Sequence, residues 1–300
     1  MTDTGRIVKC HSNFFDLLLD RGVAGRGVAR CVLRGRLRLE RRDILAGDLV
    51  EVSPVPDGSF VVQKVLPRRN RLLRPPVANV DTLLVVFTVK EPPFNYRVVD
   101  KILVIAETRG LEALVCLNKA DLCGPGEIES ALEPYRKASY RTVVTSARTR
   151  SGIGELRGAI GRGVVVLAGQ SGVGKSSILN ALIPGSRREV GDISRKRNAG
   201  RHTTKGVDLL VLPGSGGLVA DTPGFSRLEL EALTREEVAG GFPEIRRLEG
   251  QCRFSDCAHR HEPECAVKTA VAVGAIGATR YESYIAMLDE AELYEQRRYR

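Results

Sequence analysis

Apolar and polar side chains take turns in short stretches along the first seventy residues. Positions 27–33, 48–52 and 60–65 are rich in valine and other β-forming residues, and turns such as Val55-Pro56-Asp57-Gly58 separate them. The alternation is imperfect but readable, with Leu49 and Glu51 on one face of a strand and Val50 and Val52 on the other. Short strands with tight turns predict a small β-barrel. The basic, proline-bearing stretch from Pro67 to Arg71, followed by Pro75-Pro76, predicts a linker after it.

From residue 80 the pattern changes. Thr82 to Val89 is a continuous apolar run, as in a parallel strand buried on both faces. Val98, Val99, Ile102, Leu103, Ile105 and Ala106 then recur at helical spacing. Further buried strands are expected at 113–117, 142–145 and 164–167. Strands alternating with helices predict a parallel α/β sheet, whose ligand site lies at the C-terminal ends of its strands. Tyr281, Tyr284, Ile285 and Leu288 share one face of a final helix. The expected organisation is multi-domain α/β: a barrel at 1–75, an α/β domain at 76–235 and a small, mostly helical domain at 236–300.

Composition narrows the class. With 43% apolar and 27% charged residues, the 300-residue chain can bury real cores. No run approaches the roughly eighteen apolar residues of a membrane span, and the first residues lack the apolar core of a secretion signal. A cytoplasmic monomer with no membrane partner is expected. The net charge of +10 is unevenly spread: residues 1–75 carry +7, 76–160 +1, 161–235 +5 and 236–300 −3. The basic N-terminal module and the patch at 187–205 are candidate contacts to a phosphate backbone. Phe14, Phe15 and Phe60 are the only aromatics of residues 1–75, so contact there is expected to be mainly electrostatic.

Gly169-Gln170-Ser171-Gly172-Val173-Gly174-Lys175-Ser176 matches G-x-x-x-x-G-K-[ST] and is followed by Ser177 and a helix-like stretch. Its glycines allow backbone angles that aim successive N–H groups at phosphates. Lys175 would neutralise the β and γ phosphates, and the Ser176 hydroxyl would hold Mg²⁺. The position, between a buried strand and a helix, is the one the motif requires.

Asn118-Lys119-Ala120-Asp121 follows another buried strand and matches N-K-x-D. The Asp121 carboxylate can accept from guanine's N1–H and its exocyclic amine, neither of which adenine offers. Lys119 would lay its stem along the base. Asn118 would tie that loop to the one at Thr145-Ser146-Ala147, a match to the second guanine-contacting loop.

Asp221-Thr222-Pro223-Gly224 completes the set: Asp221 would bind Mg²⁺ through water, and the Gly224 N–H would meet the γ-phosphate. Thr203 and Thr204 both qualify as the switch threonine of the Mg²⁺ shell, with Thr204 preferred. These motifs resemble the translation-factor-like GTPases in an unusual order, because the guanine loops precede the phosphate loop. The domain is therefore expected to be a circularly permuted P-loop GTPase. The permutation makes the γ-phosphate sensor lead into the C-terminal segment, so GTP state would reposition that segment. Phe225 stands where many GTPases carry a water-orienting glutamine, so hydrolysis is expected to be slow alone. His202 is the leading substitute, since an imidazole can orient or deprotonate water.

Cys252-x4-Cys257-x-His259-x5-Cys265 supplies three thiolates and an imidazole, the set structural zinc prefers. His261 is an alternative to His259, at a less favoured spacing. With four protein ligands no coordination position stays open, so this metal is not expected to be catalytic. Cys10, Cys31, Cys116 and Cys123 are scattered and read as small apolar residues.

Barrel, permuted GTPase and Cys₃His cluster together resemble the bacterial small ribosomal subunit biogenesis GTPases, the RsgA family. The resemblance rests on residues 118–121, 169–177, Gly200-Arg201-His202-Thr203-Thr204, 221–224 and 252–259. It implies an OB-fold for the barrel, Mg²⁺ with GTP or GDP, one zinc, and hydrolysis stimulated by the small ribosomal subunit with its 16S rRNA. It also implies a checking or release role late in maturation, with His202 catalytic and Thr204 the switch residue. Two other readings stay open: an RNA-binding module with GTP as conformational ligand, and a permuted GTPase of another ribosomal pathway.

Overall fold

The computed structural model describes residues 3–20, 28–33, 35, 44–185, 207–221 and 233–298. Strands β1 (Asp3–Cys10), β2 (Phe15–Leu19), β3 (Ala29–Leu33), β4 (Leu49–Pro54) and β5 (Phe60–Val65) close into a barrel in the order β1-β2-β3-β5-β4. The β3–β5 pair is parallel and the other pairs are antiparallel. Every second residue of β4 points inward, so Val50 and Val52 join Ile7, Leu17, Cys31 and Val62 in the barrel core. Strands β1 and β2 carry no clear alternation, because Gly5, Arg6 and Lys9 interrupt the first and a bulge after Ile7 shifts its register. Phe14 is more engaged than its isolation in sequence suggests: it stacks on His11 at 4.1 Å and lies 4.1 Å beneath the Arg30 guanidinium.

The stretch after the barrel is not a free linker. Buried Asp48 takes two bonds from Arg68, Nε to Oδ1 at 2.6 Å and Nη2 to Oδ2 at 2.8 Å. Asn70 and Val80 exchange hydrogen bonds, and strands β6 (Arg71–Leu72) and β7 (Val77–Ala78) form a short ladder. Polar side chains thus satisfy the backbone groups of this segment locally, with Pro75 and Pro76 confined to its turn.

Six further strands form a sheet: β8 (Thr82–Phe87), β9 (Glu112–Leu117), β10 (Arg141–Val144), β11 (Val164–Ala168), β12 (Asp208–Val211) and β13 (Leu218–Asp221). Their order is β10-β9-β8-β11-β13-β12. Strands β8, β9 and β10 run parallel, β11 runs parallel to β13, and β12 is antiparallel to β13. Strands β8 and β11 are buried along their whole length, as their unbroken apolar runs require. Helix α1 (Tyr96–Thr108) starts at Asn95, whose Oδ1 accepts from Val98 N, and buries Ile102, Leu103 and Ala106. Helices α2 (Pro125–Lys137), α3 (Ile153–Ile160) and α4 (Lys175–Leu182) follow β9, β10 and β11.

Helices α5 (Arg235–Gly240), α6 (Pro243–Arg246), α7 (Ala266–Ala272) and α8 (Ala278–Arg298) build the C-terminal segment. Phe242, Ile245, Val267, Tyr284 and Leu288 bury there together with Val104 and Ile105 of α1. No described helix is long and apolar enough to cross a membrane. The chain divides into two compact units: Met1–Asp81 with Ile160–Val166 and Glu189–Phe225, and Thr82–Ala159 with Leu167–Arg188 and Ser226–Arg300.

Candidate functional site

Strand β11 feeds the loop at 169–174, and α4 leaves it. At Gly169 (φ 144°) a Cβ would stand 2.1 Å from the Val86 carbonyl oxygen, so only glycine lets the loop cross the end of β8. Gly174 (φ 92°) caps α4, and a Cβ there would meet Asn118 Nδ2 at 2.4 Å. Ser171 and Gly172 are exposed, Val173 is buried, and Gln170, Ser176 and Ser177 are partly covered. The Lys175 ammonium donates back to the Gly169 and Gln170 carbonyls at 2.8 and 2.9 Å. A loop whose glycines at 169, 172 and 174 keep Cβ atoms out of its turns, a cation folded over it and a helix N-terminus behind it together fit a polyphosphate.

Burial pushes the Lys175 amine down to about 8. Bound phosphates favour its charged form, so nucleotide binding above that pH takes up a proton. Affinity for GDP is therefore expected to be level from pH 7 to about 7.5. Above pH 8 it should fall, approaching about tenfold per unit. Titration calorimetry from pH 7 to 9.5 checks this, and a flat profile would remove Lys175 from the phosphate contact.

The loops at 118–121 and 145–147 lie beside this cradle. Buried Asn118 donates from Nδ2 to the Val173 carbonyl at 2.9 Å, and its Oδ1 accepts from Thr145 Oγ1 at 3.1 Å and Ala147 N at 3.2 Å. One side chain thus joins the phosphate loop to both guanine loops. Lys119 holds a left-handed backbone (φ 59°), unusual outside glycine, and its Nζ donates to the Glu91 carbonyl at 2.7 Å. Asp121 Oδ1 accepts from Ser146 Oγ at 2.5 Å, and Oδ2 is paired with Arg148 Nη2 at 2.7 Å. The Ser146 bond, with Arg148 behind it, holds the Asp121 carboxyl below the usual carboxylate range. Arg148, the partner of Asp121 Oδ2, is itself largely exposed.

Asp221 is the last residue of β13, buried, in register with Asp208 across the strand pair. His202, Thr204 and Gly224 lie outside the described residues.

In the C-terminal segment the Cys252, Cys257 and Cys265 sulfurs and a His259 ring nitrogen all lie within 4.8 Å of one another. His259 Nδ1 is 3.5, 3.4 and 3.4 Å from the three sulfurs, and Cys252 Sγ is 3.9 Å from Cys265 Sγ. Tetrahedral zinc, with bonds of about 2.3 Å to sulfur and 2.0 Å to nitrogen, sets edges near 3.8 and 3.5 Å, so the donor set fits that ion. Tyr281 Oη donates to the His259 carbonyl at 2.6 Å and fixes the turn that carries the imidazole. His261 is exposed and outside the cluster.

The RsgA GTPase family model matches residues 65–231. A small ribosomal subunit biogenesis GTPase RsgA of Moorella thermoacetica is 47% identical over 260 residues, covering 87% of this chain and 89% of the relative. The chain belongs to the RsgA GTPase family. The RsgA of Thermotoga maritima is 42% identical over 288 residues, 95% of this chain and 96% of the relative. The crystal structure of YjeQ from Thermotoga maritima aligns with TM-score 0.80 at 39% identity, covering 97% of this chain and 99% of that one. YloQ, a circularly permuted GTPase, aligns with TM-score 0.81 at 33% identity, covering 97% and 96%. The permuted motif order, a GTPase with Mg²⁺ and GTP, and a zinc-type Cys₃His cluster are thus features of an RsgA-family protein.

Two features of the site have weak sequence signals. Arg148 follows Ser146-Ala147 directly, yet nothing local says that it reaches back to Asp121. Glu91 acts through its backbone carbonyl, which its side-chain identity does not reveal.

Proposed function

We propose that this RsgA-family chain hydrolyses GTP in late maturation of the small ribosomal subunit, in the cytoplasm, as a monomer binding that subunit's 16S rRNA. The observation that carries the nucleotide half is the Asn118 side chain, which joins the phosphate loop to both guanine loops within one unit. The names of the Moorella and Thermotoga relatives supply the small ribosomal subunit.

In this reading Asp121 receives the guanine edge, Lys119 flanks the base, and Ser146 and Ala147 close over it. Backbone N–H groups of residues 169–177 and the Lys175 ammonium receive the phosphates. Ser176, Thr204 and Asp221 would hold Mg²⁺, whose charge would neutralise that of the phosphates. Gly224 senses the γ-phosphate, and His202 orients the attacking water. Cys252, Cys257, His259 and Cys265 hold zinc as a structural brace. A domain division at 1–75, 76–235 and 236–300 assigns rRNA contact mainly to the basic barrel. Repositioning of the zinc-bearing segment with GTP state is part of the same proposal.

Co-sedimentation with separated ribosomal subunits tests it. Binding to small subunits with a non-hydrolysable GTP analogue, and weaker binding with GDP, is the expected result. Equal binding to both subunits would redirect the assignment to another ribosomal pathway.

A further inference from the structure

The loop at 88–95 lies between Lys119 and the loop at 169–174 and is tied by hydrogen bonds within itself. Thr88, 2% exposed, donates from Oγ1 to the Pro92 carbonyl at 2.8 Å. Phe94 N closes the same loop onto the Val89 carbonyl at 3.0 Å, while the Phe94 ring packs 4.7 Å from Phe87. Between these ties, the Glu91 carbonyl is turned outward and takes the Lys119 ammonium at 2.7 Å. Pro92 faces the phosphate loop, its Cδ 3.5 Å from where a Cβ on Gly172 would be. Thr88, Asn95, Gln170 and Val173 line a small cavity on the inner side.

A lysine side chain has four rotatable bonds, and an unanchored ammonium would leave its stem to sweep the base site. The strained left-handed backbone at Lys119 is the kind of local cost that surrounding structure has to hold in place. We propose that Thr88 is a positioning residue for nucleotide binding: its hydroxyl fixes the 88–95 loop so that the Glu91 carbonyl anchors Lys119 across the guanine base. The proposal rests on the guanine-nucleotide reading of this site and adds a residue to it. Thr88 touches no nucleotide and acts only through Lys119. Because GDP and GTP share the base, its effect is the same on both.

A double-mutant cycle on the full chain tests this, reading the affinities of GDP and a non-hydrolysable GTP analogue by calorimetry. Thr88→Val, equal in shape and lacking the hydroxyl, is expected to weaken both nucleotides by the same factor, about three- to tenfold. Thr88→Ser restores the hydroxyl and the affinity. In a Lys119→Met background the Thr88→Val change is expected to cost nothing further. Independent, multiplying losses would overturn the proposal, as would a loss confined to GTP or a Thr88→Ser variant as weak as Thr88→Val. If the wild-type chain bound no guanine nucleotide, the site reading itself would fall instead.

Discussion

Replacing Asp121 by asparagine is expected to turn the nucleotide preference from guanine to xanthine. The carboxylate offers two acceptors to guanine's N1–H and exocyclic amine. An asparagine amide group turns one of them into a donor that faces the amine. Xanthine carries a carbonyl oxygen in place of that amine and so receives the amide. A site built to hydrogen-bond one edge rejects the mismatched base strongly, because buried polar groups are left unpaired, and a fall of about a hundredfold or more in GDP affinity is expected. The fold should tolerate the change. Ser146 Oγ can still donate to the asparagine carbonyl, and Arg148, 74% exposed, simply returns to water. Competition of GDP and XDP against a fluorescent GDP analogue is the check. An unchanged guanine preference would remove Asp121 from the base-reading role.

Replacing Arg280 by methionine is expected to cost about 3–5 kcal/mol of stability in the unit that carries the zinc cluster. Arg280 is 1% exposed in the first turn of α8. Its Nη1 reaches Asp100 Oδ1 of α1 at 2.8 Å, and its Nε and Nη2 reach the two oxygens of Glu244 on α6 at 2.7 and 3.2 Å. The guanidinium also lies 4.5 Å from the centre of the Phe242 ring. Burial pulls its pKa down, but the fields of Asp100 and Glu244 outweigh that and raise it. Methionine fills the volume and leaves two buried carboxylates with no counter-ion.

The sign of the pH dependence follows from those carboxylates. Burial already pushes the Asp100 carboxyl up, and Arg280 pulls against that push. Without Arg280, the native state of the variant binds more protons than the unfolded chain, so its stability falls as pH rises. The deficit relative to wild type is expected to be larger at pH 8 than at pH 5 in urea unfolding. A loss below about 1 kcal/mol at both pH values would mean that the three charges contribute no net cohesion.

The sequence was most readable where chemistry dictates both residue and spacing. Gly169 and Gly174 are forced by a carbonyl and an amide that any Cβ would strike, so the phosphate loop is legible from its glycines. The Cys₃His spacing is likewise set by a tetrahedron of fixed edges. Strands β8 and β11 stood out because burial on both faces leaves no room for polar residues. The first barrel strand is harder to read: β1 mixes Gly5, Arg6 and Lys9 with its apolar residues, and pairing with β2 and β4 on either side decides its conformation. Residues 67–76 looked like a linker because the pairing of Arg68 with Asp48 links positions far apart in sequence. The same holds for Arg280, whose partners lie 36 and 180 residues away, leaving no local pattern to read.

GTP turnover measured alone, with purified small subunits and with large subunits, for wild type and His202→Ala, is the most direct test of the account. It predicts slow turnover alone and acceleration by small subunits only, with the acceleration lost in His202→Ala while GTP still binds. Turnover that neither particle accelerates would contradict it, leaving GTP as a conformational ligand of an RNA-binding protein.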